Sequence, residues 1–289
     1  MLIWSTSFVS TKIAFASFPP LTLGAARFAI ASLVLGVVLV SKKEFIKPTV
    51  KDLGIMSVSG ILGITLYFAM ENIGVSLTSA SNAALIVASY PAITALLELI
   101  IYRVKISWLK GIGIALAIIG VYQLSYTGQG SAEGGQVTGN IILIVTGVVW
   151  ALYNFVTRKV VNKYPAITVS FYQTIVGTIV FIPLALSEKS SWQMPTFISF
   201  LMLLYLGTFC SVIAFLLYNY GLRQLSSSTA VTLMNLVPVF GVLFSVLLLH
   251  ENVQANQLVG GVIVVTGVLL SVSKSNRPLK VKEVIKNDI

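Results

Sequence analysis

The sequence predicts an all-α integral membrane protein of ten transmembrane helices, arranged as two five-helix repeats of inverted topology. Three observations lead to this prediction: the composition, the length of the apolar stretches and a similarity between the two halves of the chain. Hydrophobic residues make up 56% of the 289 positions and charged residues only 10%, whereas a soluble domain carries about 25% charged residues. This excess of apolar side chains indicates a protein that lies in a membrane.

The apolar residues occur in stretches of roughly 20 residues, which is the length that crosses about 30 Å of hydrocarbon as an α-helix. We predict helices over roughly 1–18, 21–41, 53–72, 79–102, 107–126, 139–158, 165–187, 197–220, 227–249 and 254–273. The longest gap, from Thr127 to Thr138, is too short for a folded soluble domain. We therefore expect any chemistry to lie within the membrane.

The basic residues predict the orientation. The loops alternate between the two sides of the membrane. On one side the basic residues are those within Lys42–Lys51, Arg103–Lys110 and Arg158–Lys163, together with Arg223 and the tail over 274–289, while the loops on the other side hold Lys189 alone. Because cytoplasmic loops carry the excess of Lys and Arg, we expect both termini and the basic tail in the cytoplasm. The formal charge of +10 is distributed by loop, so we expect no nucleic-acid partner.

Several classes of site are excluded by counting residues. The chain has one cysteine, Cys210, and one histidine, His250, so an internal disulfide or a metal site built on Cys and His is excluded. The predicted spans also hold no clustered carboxylates, no Walker sequence and no cluster of catalytic groups. We therefore expect that the protein uses no cofactor and is not an enzyme. An intramembrane enzyme and an assembly scaffold are the alternatives from other functional classes.

The two halves of the chain align with each other. A shift of 146 positions places Trp4 on Trp150, Lys12 on Arg158 and Pro19 on Pro165, and a shift of 147 places Asn72 on Asn219, Pro91 on Pro238, Gly113 on Gly260 and Gly120 on Gly267. Each half has five predicted helices, an odd number, so the second half must be inverted. Inverted repeats are a recurrent plan of secondary transporters, which bind substrate near the midplane between the halves.

The predicted repeats cover 1–126 and 139–273. Only three residues precede Trp4, whereas about ten apolar residues precede its counterpart Trp150. A first span of ~27 Å is short for a membrane, so we expect either that the start of this sequence lies inside the real first helix or that the gene was truncated there.

The run from Trp4 to Val9 with Lys12, Pro19 and Arg27, followed by the helices around Pro91 and Pro238, resembles the EamA family of the drug/metabolite transporter superfamily. The resemblance covers nearly the whole chain. It implies a ten-helix carrier of the bacterial inner membrane, built of two five-helix repeats, and many such carriers export amino acids and related metabolites. It also implies a central cavity lined by the first, third, fourth, sixth, eighth and ninth helices.

The resemblance predicts a secondary transporter, in the first place an exporter of an amino acid or a related carboxylate. Import in the same fold is the alternative. The lipid bilayer and a small-molecule substrate are the expected partners, a proton or Na⁺ is the candidate coupling ion, and a homodimer is the candidate assembly. The short start departs from the family pattern. His250 and Glu251 resemble the family's acidic ending of the ninth helix, while Val104 takes the matching place in the first half.

Polar side chains inside a span are unfavourable unless they are paired or face a cavity. Helical spacing places such residues on shared faces of the third, sixth and eighth helices. The predicted substrate-binding residues are Trp4, Ser7, Tyr67, Asn82, Trp150, Tyr153, Asn154, Tyr218 and Asn219. Aromatic and amide groups together suit a small zwitterion or a planar ring. Interfacial anchoring and hydrogen bonds between helices are the alternatives.

Lys12 and Arg27 lie roughly 9–10 Å inside the outer boundary, and Glu71 ends the third span on the same side. This cluster of two cations and one carboxylate predicts one of two roles: a clamp that binds the carboxylate of the substrate, or a gate at the outer face of the protein. The alternative is a structural pair of Lys12 or Arg27 with Glu71. Arg27 aligns with Gln173, so its charge is not mirrored in the second half, which favours a task on one side.

Three further features are predicted from the spans. Glu98, near the cytoplasmic edge, is a candidate proton relay, with pairing to a neighbouring Arg as the alternative. Pro91 and Pro238 each lie near the middle of a span and predict matched kinks that act as hinges. Small-residue stripes predict close packing of the fifth and tenth helices, through Gly113, Gly120, Gly260 and Gly267.

Overall fold

The computed structural model describes residues 1–42, 46–102, 107–126, 135–217 and 236–272. Within these ranges the chain is helical, without strands. The α-helices are α1 (Leu2–Ser5), α2 (Ser7–Ala14), α3 (Pro20–Lys42), α4 (Val50–Gly60), α5 (Tyr67–Leu77), α6 (Ala80–Val87), α7 (Tyr90–Tyr102), α8 (Trp108–Tyr126), α9 (Gly135–Thr157), α10 (Ala166–Leu186), α11 (Phe197–Tyr205), α12 (Leu236–Leu249) and α13 (Ala255–Val272).

Six continuous helical segments of the described chain are long and apolar enough to cross a membrane: Pro20–Ser41, Val50–Leu77, Ala80–Tyr102, Gly135–Thr157, Ala166–Leu186 and Phe197–Leu217. Shorter apolar helices cover Trp108–Leu124, Leu236–Leu249 and Ala255–Ser271. Every predicted span has a helical counterpart in the described ranges. The all-helical membrane class is therefore confirmed, while the count of ten spans in two repeats stays a prediction.

Three pairs of helices pack against each other: α3 with α10, α6 with α12, and α8 with α13. The α8–α13 pair is held closest by glycine. A Cβ atom on Gly113 would lie 2.3 Å from the backbone nitrogen of Ser271, and one on Gly267 would lie 2.5 Å from that of Ala117. Only glycine fits at these crossings, so both small-residue stripes are sites of close helix contact, and the structure shows that the partner of each is the other.

The remaining helices surround the middle of the bundle. α9 packs against α5 and α7, while α1 and α2 pack against α11 and α12. The helix that contains Pro91 is interrupted one turn before it, because α6 ends at Val87 and α7 begins at Tyr90. Pro238 lies in α12, three residues after 218–235, which are outside the described chain. Whether the two prolines act as hinges stays a prediction.

Two π-helices were not expected from the sequence. One covers Ile61–Leu66 and joins α4 to α5, and the other covers Leu206–Ile213 and continues α11. A shift of 147 positions places Leu66 on Ile213, so the two π-helices occupy matching places in the two halves. π-Helical turns are rare and often lie at functional sites, so we expect the functional site to lie close to these two segments.

The two ends of the bundle differ in their charges. At one end, which we call the basic face, Asp52 pairs with Lys163 at 2.8 Å and Glu98 pairs with Arg158 at 3.2 Å. At the other end, the opposite face, Glu188 and Glu251 accept hydrogen bonds from backbone N–H groups. The central site lies between these faces.

Candidate functional site

A cavity of about 90 Å³ lies in the middle of the bundle. Eight of the residues predicted for substrate binding, the clamp and the hinges line it: Trp4, Ser7, Arg27, Tyr67, Glu71, Pro91, Trp150 and Pro238. Since ligand pockets commonly measure about 300–1,000 Å³, this conformation is nearly closed. A metabolite would need a wider conformation of the same cavity.

The walls of the cavity are largely aromatic. The ring centres of Tyr67 and Trp150 lie 5.1 Å apart, and those of Trp4 and Phe215 lie 5.2 Å apart in an edge-to-face arrangement. The indole nitrogen of Trp4 donates a hydrogen bond of 3.1 Å to the carbonyl oxygen of Cys210, in the second π-helix. Aromatic faces offer broad contact area to a planar or apolar group, so these walls suit the body of a small organic molecule.

Arg27 is the cation of the cavity. Its side chain is buried, and its Nε donates a hydrogen bond of 2.6 Å to the hydroxyl of Ser211. The guanidinium carbon lies 4.5 Å from the ring centre of Phe68 and 5.3 Å from that of Phe28, which is cation–π distance. Within the described chain the structure gives the two terminal nitrogens of Arg27 no hydrogen-bond partner. Those nitrogens are the donors that would suit a carboxylate, which guanidinium groups bind in a bidentate manner.

Ser211 is positioned by the π-helix itself. Its hydroxyl donates a hydrogen bond of 2.9 Å to the carbonyl oxygen of Leu206, five residues earlier. The hydroxyl therefore accepts from Arg27 and donates to the backbone at the same time. This arrangement fixes the Nε edge of the guanidinium of Arg27, which lines the cavity.

Glu71 is the carboxylate of the cavity. Its Oε1 accepts a hydrogen bond of 2.8 Å from the hydroxyl of Tyr67, one turn earlier on α5. The ion pairs within 4.0 Å in the described chain are Asp52 with Lys163 and Glu98 with Arg158. Arg27 and Glu71 thus share the cavity without a direct ion pair, and the structural pair that the sequence left as an alternative is not formed in this conformation.

Three of the predicted binding residues lie outside the cavity lining. Tyr153 packs against the first π-helix, where a Cβ atom on Gly63 would lie 2.3 Å from its ring. The amide of Asn154 donates to the carbonyl oxygen of Trp150 at 2.8 Å. Asn82 is buried between α6 and α9, where its amide nitrogen donates to Asn140 at 2.8 Å. In each case a contact between or within helices takes the place of the predicted cavity contact.

Lys12 and Glu98 also lie away from the cavity. Lys12, on α2, is partly buried, and its charge interacts favourably with the carboxylate of Glu251 on the opposite face. Glu98 forms its ion pair with Arg158, whose side chain is 59% exposed. That contact matches the structural alternative for Glu98, although the partner is Arg158 and not a neighbour on the same helix. Tyr218 and Asn219 lie outside the described residues.

Seven lining residues were missed by the sequence analysis: Phe8, Phe68, Val87, Ala88, Tyr90, Phe215 and Val237. All are apolar or aromatic, and in a span such residues look like any lipid-facing or core position. Phe215 carried the best signal, because its spacing from Tyr218 and Asn219 in the sequence predicts a shared helical face. No group of three or more His, Cys, Asp or Glu that could hold a metal ion occurs within the described ranges.

Comparisons with known proteins agree on one family. The model of the EamA-like transporter family matches residues 1–126 and 137–273. An uncharacterized transporter of Archaeoglobus fulgidus is 30% identical over 283 residues, with 96% of each chain covered. A probable terminal-alkyne amino-acid exporter of Streptantibioticus cattleyicolor is 24% identical over 267 residues, with 92% of this chain and 89% of that protein covered.

The fold is also shared with a solved structure. A crystal structure superposes with a TM-score of 0.66 at 19% identity, over 93% of this chain and 94% of that chain. At this identity the likeness supports the fold alone.

Proposed function

Because this chain belongs to the EamA-like transporter family of the drug/metabolite transporter superfamily, we propose that it exports a small carboxylate-bearing metabolite, such as an amino acid, by alternating access at the central cavity. It is a multi-pass membrane protein and a transporter, and its homologues are transporters and not enzymes. We propose in addition the class of substrate, the direction of transport and the residues that bind the substrate. It also places both termini in the cytoplasm.

The observation that carries the substrate class is the environment of Arg27. A buried guanidinium with Nε held by Ser211 lines a cavity with aromatic walls. A buried cation inside a membrane protein is unfavourable, so such residues commonly bind a partner or a substrate. A carboxylate on the substrate would bind the guanidinium directly, while the aromatic walls would contact its apolar part.

Glu71 and Tyr67 supply the complementary group. Their hydrogen-bonded pair lines the same cavity as Arg27, so a substrate with both a carboxylate and an ammonium group would meet one opposite charge at each end. The name of the exporter from Streptantibioticus cattleyicolor is consistent with this class of substrate. At 24% identity that relative supports a class and not a compound.

The alternating-access part of the proposal rests on two inverted repeats over 1–126 and 139–273. Three features support it. The family model matches the chain twice, the π-helices occupy matching positions, and two cavity-lining pairs, Trp4 with Trp150 and Pro91 with Pro238, are related by the repeat shift. A rocking motion of one half against the other would expose this cavity to each face in turn.

The test is to identify candidate substrates in cells and then to measure their transport by the purified protein. Metabolite profiling of cells with and without the protein would nominate substrates, and proteoliposomes would measure their flux under imposed pH and Na⁺ gradients. The proposal expects substrate-dependent flux of a carboxylate, and stimulation by one gradient would identify a proton or Na⁺ as the coupling ion. Absence of flux for every nominated carboxylate, with a well-folded protein, would contradict it. Import is the second candidate, and the direction of flux under the gradient separates the two.

A further inference from the structure

At the opposite face, the carboxylate of Glu251 joins the second half of the chain to the first half at α6. Glu251 follows α12, and its Oε1 accepts a hydrogen bond of 2.8 Å from the backbone N–H of Ala80. Its Oε2 accepts one of 2.9 Å from the N–H of Ser81 and one of 2.6 Å from the Ser81 hydroxyl. Ala80 and Ser81 begin α6. Both oxygens of this carboxylate, which belongs to the second half, thus accept hydrogen bonds from the first half. The positive end of the α6 dipole also favours a negative charge at this place.

This contact lies at the end of the two helices that flank the cavity. α6 packs against α12, and the cavity is lined by Val87 at the end of α6 and by Val237 and Pro238 in α12, more than two turns before Glu251. The start of α6 and the end of α12 must separate if the cavity is to open on the opposite face. The three hydrogen bonds of Glu251 have to break for that to happen.

The backbone next to Glu251 is strained. His250 has φ of 53°, and it is the one non-glycine residue with positive φ in the described chain. Such a conformation costs on the order of 1–3 kcal/mol and persists where the surroundings hold it. Here it ends α12 and turns the chain so that the next residue, Glu251, meets the start of α6. Lys12 on α2 adds a favourable charge near the same carboxylate.

Among the residues that the structure describes on the basic face, no carboxylate accepts hydrogen bonds from the first residues of a cavity-flanking helix; residues 103–106 and 218–235 lie outside the described chain. The shift of 147 positions places Val104, which has no carboxylate, opposite Glu251. The ion pair there that involves a cavity-flanking helix joins Glu98 on α7 to Arg158, with side chains 19% and 59% exposed. Exposed ion pairs contribute little to stability. The other pair, Asp52 with Lys163, joins α4 to the loop before α10 and involves neither α7 nor α12.

We infer that Glu251 is a latch that holds the cavity closed on the opposite face, so that the resting transporter opens more readily to the basic face. This inference rests on the proposed alternating access. If the basic face is cytoplasmic, the latch makes the cavity load from the cytoplasm, which is the direction of an exporter. Release of the three hydrogen bonds on Glu251 is then the step that lets substrate leave on the other side.

Glu188 provides a matched control. Its carboxylate accepts from the N–H of Leu21 at 3.1 Å, from the N–H of Thr22 at 2.7 Å and from the Thr22 hydroxyl at 2.9 Å. The chemistry is therefore the same as at Glu251. However, Glu188 follows α10, which contributes no residue to the cavity lining. Loss of this contact should not open the cavity.

The test measures access to the cavity from each face. A cysteine replaces Ala88, which lines the cavity, in a Cys210→Ser background, and membrane-impermeant thiol reagent is added to right-side-out and inside-out vesicles. Exposed markers at Lys51→Cys and Lys189→Cys report which face is outside. We expect Glu251→Gln to speed labelling from the opposite face by roughly 10- to 100-fold, as the loss of charge-assisted hydrogen bonds implies. Ser81→Ala, which removes one hydrogen bond and no charge, should speed labelling from the opposite face by about 3- to 10-fold.

The outcomes separate the latch from the proposed function. An increase for Glu251→Gln and Ser81→Ala, with at most about a twofold change for Glu188→Gln, would support the latch. Unchanged opposite-face labelling in Glu251→Gln, while the cysteine is still reached from the basic face, would overturn the latch and leave the cavity in place. An equal increase in Glu188→Gln would also overturn it. A cysteine that is reached from neither face would overturn the central cavity and the proposed function together.

Discussion

The Nε of Arg27 on α3 donates a 2.6 Å hydrogen bond to the hydroxyl of Ser211, which lies in a π-helix of the other half of the chain. Replacement of Ser211 by alanine would leave this buried donor without a partner, at a cost of about 1–3 kcal/mol. We expect Ser211→Ala to lower thermal stability in detergent and to weaken carboxylate transport, because the guanidinium is no longer fixed. Ser211→Thr keeps the hydroxyl and is the control. Equal stability and flux in Ser211→Ala and the parent would show that the contact does not position Arg27.

The glycine crossing of α8 and α13 predicts a difference between two Gly→Ala changes. In Gly113→Ala the new methyl group would meet the backbone of Ser271 at 2.3 Å, so the helices must separate, at a cost of about 1–3 kcal/mol. At Gly54 on α4 nothing lies within 4 Å of the added Cβ, so alanine should be neutral or stabilise the helix by up to about 1 kcal/mol. Thermal unfolding of the two variants in the same detergent checks this. Similar stability would mean that the helices are not in contact at Gly113.

The two ion pairs of the basic face should differ in strength. The side chain of Asp52 is 8% exposed and accepts from Lys163 at 2.8 Å and from the hydroxyl of Tyr164 at 2.9 Å, so Asp52→Asn should lower stability more than Glu98→Gln does. Glu98→Gln breaks an exposed pair and should cost at most about 1 kcal/mol. We also expect Glu98→Gln to leave the pH dependence of transport unchanged, because Glu98 lies outside the cavity. A changed pH profile would restore Glu98 as a proton relay.

The orientation can be measured directly with single cysteines. In a Cys210→Ser background, Lys51→Cys on the basic face should resist an impermeant thiol reagent in intact cells, whereas Lys189→Cys on the opposite face should react. Both side chains are exposed, so access to water does not distinguish them. Permeabilised cells, in which both should react, are the control. The reverse pattern in intact cells would place the termini outside.

Composition and repeat symmetry predicted most of the helices, because apolar length and periodicity are local properties of a chain. The matched tryptophans Trp4 and Trp150 both line the cavity, as expected for positions related by the repeat. Arg27 and Glu71 were found because charges inside a span are rare and need a reason. These features are carried by single residues and their spacing.

Other features depend on tertiary structure and could not be predicted. Trp150, Tyr153 and Asn154 share a helical face, yet the cavity is narrower than that face, and Tyr153 packs against Gly63 instead. The π-helices change the helical phase by about one residue, so sorting by i and i+4 fails across them. The contact of Glu251 with Ser81 joins distant parts of the chain, and only the fold shows that the charge of Lys12 interacts with Glu251 and that Lys12 does not line the cavity.

Transport by Arg27→Gln tests the central claim most directly. The change copies Gln173, the residue at the matching position of the second half, and removes the charge from the cavity without a large change in volume. We expect near-normal expression and thermal stability, with apparent affinity for the carboxylate substrate reduced roughly 10- to 150-fold, as the loss of a charge-assisted hydrogen bond implies. An analogue of the substrate that lacks the carboxylate should be affected far less. Normal flux of the carboxylate by a well-expressed Arg27→Gln protein in proteoliposomes would remove Arg27 from the site and contradict the proposed substrate class.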